Sequence, residues 1–147
     1  MRYERCTIER AIKTMPHRYN PLFTPENVRA AREERGETLR RLPFGVIIVD
    51  RNANVVDYNE NEELTAIKQD LIGKNFFNEV APWAAVPDFQ RRWEEFISSH
   101  ETLLMPFDFA LPSPNGLVDV TVMFVRVNFD SDHATICLAR KAEVPTA

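Results

Sequence analysis

Tyr58 stands just before the acids Glu60, Glu62 and Glu63, the densest grouping of side chains in this chain that could do chemistry. If the phenol and one carboxylate face the same cavity, short hydrogen bonds from them hold a phenol, a carboxylic acid or another small polar molecule, and burial raises the carboxyl pKa. The opposing reading is the solvated side of a short helix, with Tyr58 bonded to backbone, and three acids in so short a run require at least one to face water. The three histidines, His17, His100 and His133, are scattered. His100 falls near the end of a helix, where a cation suits the helix dipole, so neither a metal site nor a haem ligand is read here. Cys6 and Cys137 lie at opposite ends without CxxC spacing, which argues against a disulfide framework or a zinc site. Cys137 alternates inward in a terminal strand, as a small apolar residue does. No GxSxG, P-loop or HExxH is present, and no Ser or Cys has an assignable partner histidine, so the chain is not read as an enzyme.

The elements that must position these groups follow from the apolar pattern. Residues 1–41 are polar, charged and broken by Pro16 and Pro21, an extension with a helix near 25–41. Thr24 is placed as its N-cap and Pro25 at its first position, with Asn27 where a capping-box Glu would be ideal. Its apolar stripe, Val28, Ala31 and Leu39, is thin, and suits lying on a sheet or pairing with a second copy. A strand over Phe44–Val49, a turn over Asp50–Asn54 and a strand over Val55–Tyr58 make a hairpin. Residues 59–70 read as short helical turns with Leu64 and Ile67 inward, and Gly73 as a joint. Pro87 opens a helix carrying Phe89, Trp93, Phe96 and Ile97 on one face. Strands over Met105–Leu111, Leu117–Val127 and Ala134–Ala139 follow, separated by Pro-, Asn- and Gly-rich breakers.

The 147 residues suffice for one domain with an extension. A net charge of −4 gives no general attraction to nucleic acid or anionic membrane. No apolar run approaches the ~20 residues that cross a bilayer, and the first residues lack the apolar stretch of a secretory signal. A reducing cytoplasm is the expected location.

The segments LPFGVIIVDRNANVVDYN (42–59) and LIGKNFFNEVAPW (71–83) resemble the photoactive-yellow-protein branch of the PAS domain family. The resemblance covers roughly 42–140 and is carried most narrowly by Gly73-Lys74-Asn75-Phe76-Phe77 and Val80-Ala81-Pro82. It implies an α+β PAS fold: a five-stranded antiparallel sheet in order 2-1-5-4-3, helices on one face, and a small-molecule pocket between them. The expected division is 1–41 as N-terminal extension, 42–141 as PAS domain and 142–147 as tail. In that family Val-Ala-Pro is followed by a cysteine bearing p-coumaric acid as a thioester. Here Trp83 follows, and an indole offers no nucleophilic sulfur. The resemblance implies that Tyr58 occupies the position of the tyrosine that donates to the chromophore phenolate, and that Glu62 or Glu63 stands for its buried glutamate. Thr65 stands for the threonine that bonds the tyrosine. The gating arginine has no clear counterpart; Lys68 is the nearest cation. With Phe76 and Trp83 these residues form the expected ligand-binding set. Trp83 either plugs the pocket or forms an aromatic wall for a flat ligand. The cysteine motif of the flavin-binding photosensory relatives is absent, so no cofactor is expected, and a non-covalent small molecule is the candidate ligand. The expectation is a sensory module that binds a small molecule or a signalling protein and signals by changed association. The alternative is a filled-core interaction module, a homodimer through residues 24–41 and the outer sheet face, where Thr121 and Arg126 are expected. An enzyme acting on a small acid held by Tyr58 and a Glu ranks last. No kinase or cyclase output segment is read in the chain, which suggests a stand-alone module or a fragment of a larger protein.

Overall fold

A computed structural model describes residues 19–33, 37–59, 71–99, 102–113, 116–127 and 133–141. The candidate residues Glu62, Glu63 and Thr65, with Lys68, His17, His100 and Cys6, lie outside the described residues, as do the expected turns at 60–70 and the tail.

β1 (Gly45–Val49) is buried at every position, which explains why its sequence is a continuous apolar run and does not alternate. Its neighbours are β2 (Val55–Tyr58) and β5 (Ala134–Arg140). β4 (Gly116–Arg126) lies beside β5, and β3 (Leu104–Ser113) closes the edge, giving the antiparallel order β2-β1-β5-β4-β3. A bulge between Ile48 and Val49 shifts the β1–β2 register, so that Val55 opposite Val49 and Tyr58 opposite Ile47 share the inner face although three residues apart. The turn between them is held by Asp50, whose carboxylate accepts from the backbone N–H groups of Asn52 and Asn54, both at 2.9 Å.

Period-two alternation sends each central strand's side chains into two cores. The inner core joins Ile47, Val122, Phe124 and Ile136 to the segment from Phe76 to Ser98. That segment begins with a π-helical turn, Phe76–Val80, continues through a 3₁₀ turn, Pro82–Ala84, and ends in a helix, Pro87–Ser98. The helix buries Phe89, Trp93 and Phe96, and half-buries Ile97, as its spacing predicts. The outer core joins Val46, Ile48, Met123 and Cys137 to Phe23, Val28, Ala31 and Leu39 of the extension. The extension contains α1 (Pro25–Glu33) and the short α2 (Glu37–Arg40), and the helix over Pro87–Ser98 is α3. Thr24 caps α1 as expected, its Oγ1 accepting from Asn27 N–H at 3.2 Å. Asn27, in place of an acid, turns its own amide back to Leu22 C=O at 2.8 Å.

Thr121 lies on the outer face, and Arg126 does not. Residues five apart on a regular strand point to opposite sides, and Arg126 reaches under the inner core to the end of α3. The outer face is also covered by its own chain: Val28 and Leu39 are 0% exposed against the sheet. A charge at either position therefore tests the folding of the extension before it tests self-association.

Candidate functional site: the aromatic inner face

The inner face is built around Trp83. Asn75 starts the π-helical turn that precedes it, its side-chain oxygen accepting from Phe77 and Asn78 N–H at 3.1 and 3.2 Å. Its amide donates to Asn52 C=O and Asn54 Oδ1, tying the turn to the β1–β2 loop. Glu79 returns the capping bond to Asn75 N–H at 2.9 Å. The acid stands one place later than in an ordinary capping box because the wider turn inserts a residue. Backbone bonds from Phe76 N–H to Ala53 C=O and from Gly73 N–H to Val55 C=O complete the attachment, with Gly73 at φ 83° where a side chain would be strained.

So anchored, the turn drives Phe76 fully into the core and delivers Trp83 over it. Pro82 opens the 3₁₀ turn, whose bonds from Ala84 N–H to Ala81 C=O and from Ala85 N–H to Pro82 C=O satisfy a loop poor in donors. The half-buried Trp83 ring lies edge-on to Phe76 at 6.3 Å and to Phe89 at 6.0 Å, and tilts over Phe109 at 5.7 Å. These centroid distances and edge-on angles are those of favourable ring pairs. Phe89 is the hub, meeting Phe107 and Phe124 from the sheet as well. Trp93 and Phe96 extend the same stack to the far end of α3.

Of the sequence-derived ligand set, Phe76 and Trp83 are in ring contact, and Tyr58 is half-buried at the edge of the same core. Three neighbours were not singled out from sequence as site residues. Phe109 was readable, since Met105, Phe107, Phe109 and Leu111 alternate inward along β3. Asn59 is buried and its amide is fully used. Its oxygen accepts from Val46 N–H at 2.8 Å, and its nitrogen donates to Leu39 C=O at 3.0 Å and Phe44 C=O at 2.8 Å. Arg126 donates to the carbonyls of Phe96 and Ser99 at the C-terminal end of α3, the second at 2.9 Å, with its guanidinium 4.7 Å from the Phe96 ring. No local sequence pattern identifies either contact.

Among the described residues, no three His, Cys, Asp or Glu side chains gather as metal ligands, and no helix is long and apolar enough to cross a membrane. Cys137 is buried on the outer side of the sheet, and burial pushes its thiol well above the usual range, so that it is shielded while the extension covers it.

A family model described as "PAS fold" matches residues 39–136. The photoactive yellow protein of Cereibacter sphaeroides is 35% identical over 96 residues, covering 61% of this chain and 73% of that protein. That of Rhodobacter capsulatus is 36% identical over 73 residues, covering 48% of this chain and 56% of that one. Among solved structures, the photoactive yellow protein domain from the sensor histidine kinase Ppr of Rhodospirillum centenum superposes with a TM-score of 0.60 at 30% identity, covering 69% of this chain and 89% of that domain. The sheet order, the aromatic inner face and these relatives agree, and the chain belongs to the PAS-fold family, among the relatives of photoactive yellow protein.

Proposed function

We propose that this PAS-fold sensory module takes a small molecule non-covalently beside Tyr58, and signals by changing how the N-terminal extension packs on the outer sheet face. Attachment of p-coumarate by a thioester at position 83 does not fit the residues present. Trp83 has no thiol, and its ring is packed against Phe76, Phe89 and Phe109. The observation that carries the proposal is the Tyr58-Asn59 pair. Tyr58 faces the inner core, while the next residue bonds the carbonyls of Leu39 and Phe44, where the extension joins the sheet. A shift of the β2 end by a few tenths of an ångström therefore loads both the inner face and the junction. The extension is the element that can yield. Its contacts include water-replaceable hydrogen bonds, from Thr135 Oγ1 to Ala31 C=O at 2.8 Å and from Asn20 Nδ2 to Arg140 C=O at 2.9 Å. The inner stack offers only rings. A ligand that prefers one arrangement shifts the population by its difference in affinity. The ligand side of the pocket, with Glu62, Glu63 and Thr65, is proposed on the resemblance alone.

The test uses Cys137, which the extension covers. Protein is purified, its native and denaturing mass spectra are compared, and the thiol labelling rate of Cys137 is read with and without any co-purified molecule. The proposal expects a mass present only in the native spectrum, a labelling rate that responds to it, and loss of that response in Asn59→Ala. A clean mass with a labelling rate indifferent to candidate phenols and small acids overturns it. The second reading, a filled-core interaction module, is favoured by the closure of Trp83 over three rings, and that same negative result supports it.

A further inference from the structure

The extension covers only part of the outer sheet face. β4 pairs with β5 from Val120 to Arg126, so Gly116–Asp119 and the β3 residues opposite form a two-stranded ribbon that overhangs the sheet. Alternation puts Ala110, Pro112, Leu117 and Asp119 on the ribbon's outer side, the same side as Thr121, and all are exposed. Leu117 is 73% exposed, the most open of the large apolar side chains described. The ribbon begins where the described N-terminal chain begins: Thr121 Oγ1 donates to Tyr19 C=O at 3.3 Å, and Asp108 is paired directly opposite Thr121. From Thr121 to Leu117 the strand advances roughly 13 Å, a short reach for a preceding segment of 18 residues.

That segment has the complementary chemistry. Ile8, Ala11, Ile12 and Met15 fall at i, i+3, i+4 and i+7, one helical face, and Pro16 supplies a break between this stretch and Tyr19. Arg2, Arg5, Arg10, Lys13 and Arg18 stand against only Glu4 and Glu9, although the chain as a whole is acidic. Asp119 lies on the ribbon and Asp108 at its base opposite Thr121, where Lys141 lies 2.7 Å from the Asp108 carboxylate. We propose that residues 1–18 of the same chain dock on the outer face of this ribbon, their apolar face on Ala110, Pro112 and Leu117 and their basic residues beside Asp108 and Asp119. The extension then covers the outer face in two parts, residues 1–18 on the ribbon and residues 19–41 on the rest of the sheet.

Cys6 makes the test possible in the unmodified chain, because Cys137 is buried and a nitroxide reagent under native conditions attaches at Cys6 alone, as a mass spectrum verifies. The expected result is paramagnetic broadening of the amide signals of Ala110, Leu117 and Asp119 in isotopically labelled protein. It should be lost in Ile8→Asp/Ile12→Asp and weakened by raised salt. Absence of broadening at the ribbon, or broadening that persists unchanged in the double variant, overturns the proposal. So does broadening that is reproduced when spin-labelled, isotopically unlabelled protein is mixed with labelled protein free of nitroxide, which assigns the face to a second copy.

Discussion

Trp83 shows how far one side chain can redirect a site without disturbing the scaffold around it. The turn that carries it is fixed by Asn75 and Glu79 through backbone and capping bonds that do not depend on the residue at position 83. The indole instead adds contacts of its own to Phe76, Phe89 and Phe109. Truncation of a fully buried aromatic costs about 3–5 kcal/mol, and a half-buried ring with three ring partners should lose about 2 kcal/mol. Urea unfolding of Trp83→Ala measures this, and a change below about 0.5 kcal/mol, the range of ordinary surface substitutions, would show that the ring is peripheral to the core. The residue types of this site were legible from the sequence; which rings meet was not. Contacts of Trp83 with Phe89 and Phe109 join three separate elements, and their pairing depends on how the turn, helix and strand settle on one another.

Among the elements, α3 was read correctly from its apolar spacing and Pro87, but its far end was not. The last carbonyls of a helix need donors; here Arg126, from a strand distant in sequence, supplies them and also lies on the Phe96 ring. Arg126→Met keeps much of the stem and removes the charge and the donors. Hydrogen bonds to a charged group contribute about 1.5–3 kcal/mol, so the variant should lose about 2 kcal/mol and speed hydrogen exchange at the end of α3 ahead of its start. Uniform exchange along the helix would reject that capping role. The β3 edge carries a different message. Leu103 C=O accepts from Arg126 N–H, so residues alternating from Leu103 bond to β4, and Pro106 and Pro112 sit at positions facing outward. Proline at these two positions removes donors that a further strand would need and blunts the edge.

For the whole molecule, two cores on one sheet lead to the prediction that the outer layer opens without loss of the inner one. Phe23 is fully buried and meets Phe44 edge-on at 5.0 Å. Phe23→Ala should weaken the extension's docking by about 3 kcal/mol. Where Cys137 is labelled through local opening, that loss raises the rate about 100-fold, since each 1.4 kcal/mol is tenfold. Trp83→Ala, which acts on the opposite core, should raise it far less. Equal acceleration by the two variants would mean that the thiol is reached only by global unfolding, and that the extension is not a separable layer.

The strands, the α3 helix, the Thr24 cap, the α+β order and the family were legible in the residues alone, because each rests on local periodicity, turn residues or a nearly continuous match. The folded chain supplied the rest. It showed that the thin stripe of Val28, Ala31 and Leu39 is buried on the chain's own sheet, that Thr121 and Arg126 face opposite layers, and that Asn59 locks the extension's junction to the strand carrying Tyr58. These contacts join residues far apart in sequence. An amphipathic stripe states that a face must be covered and leaves the covering surface open, and a polar side chain states a bonding capacity without naming its partner. Only the folded arrangement assigns both.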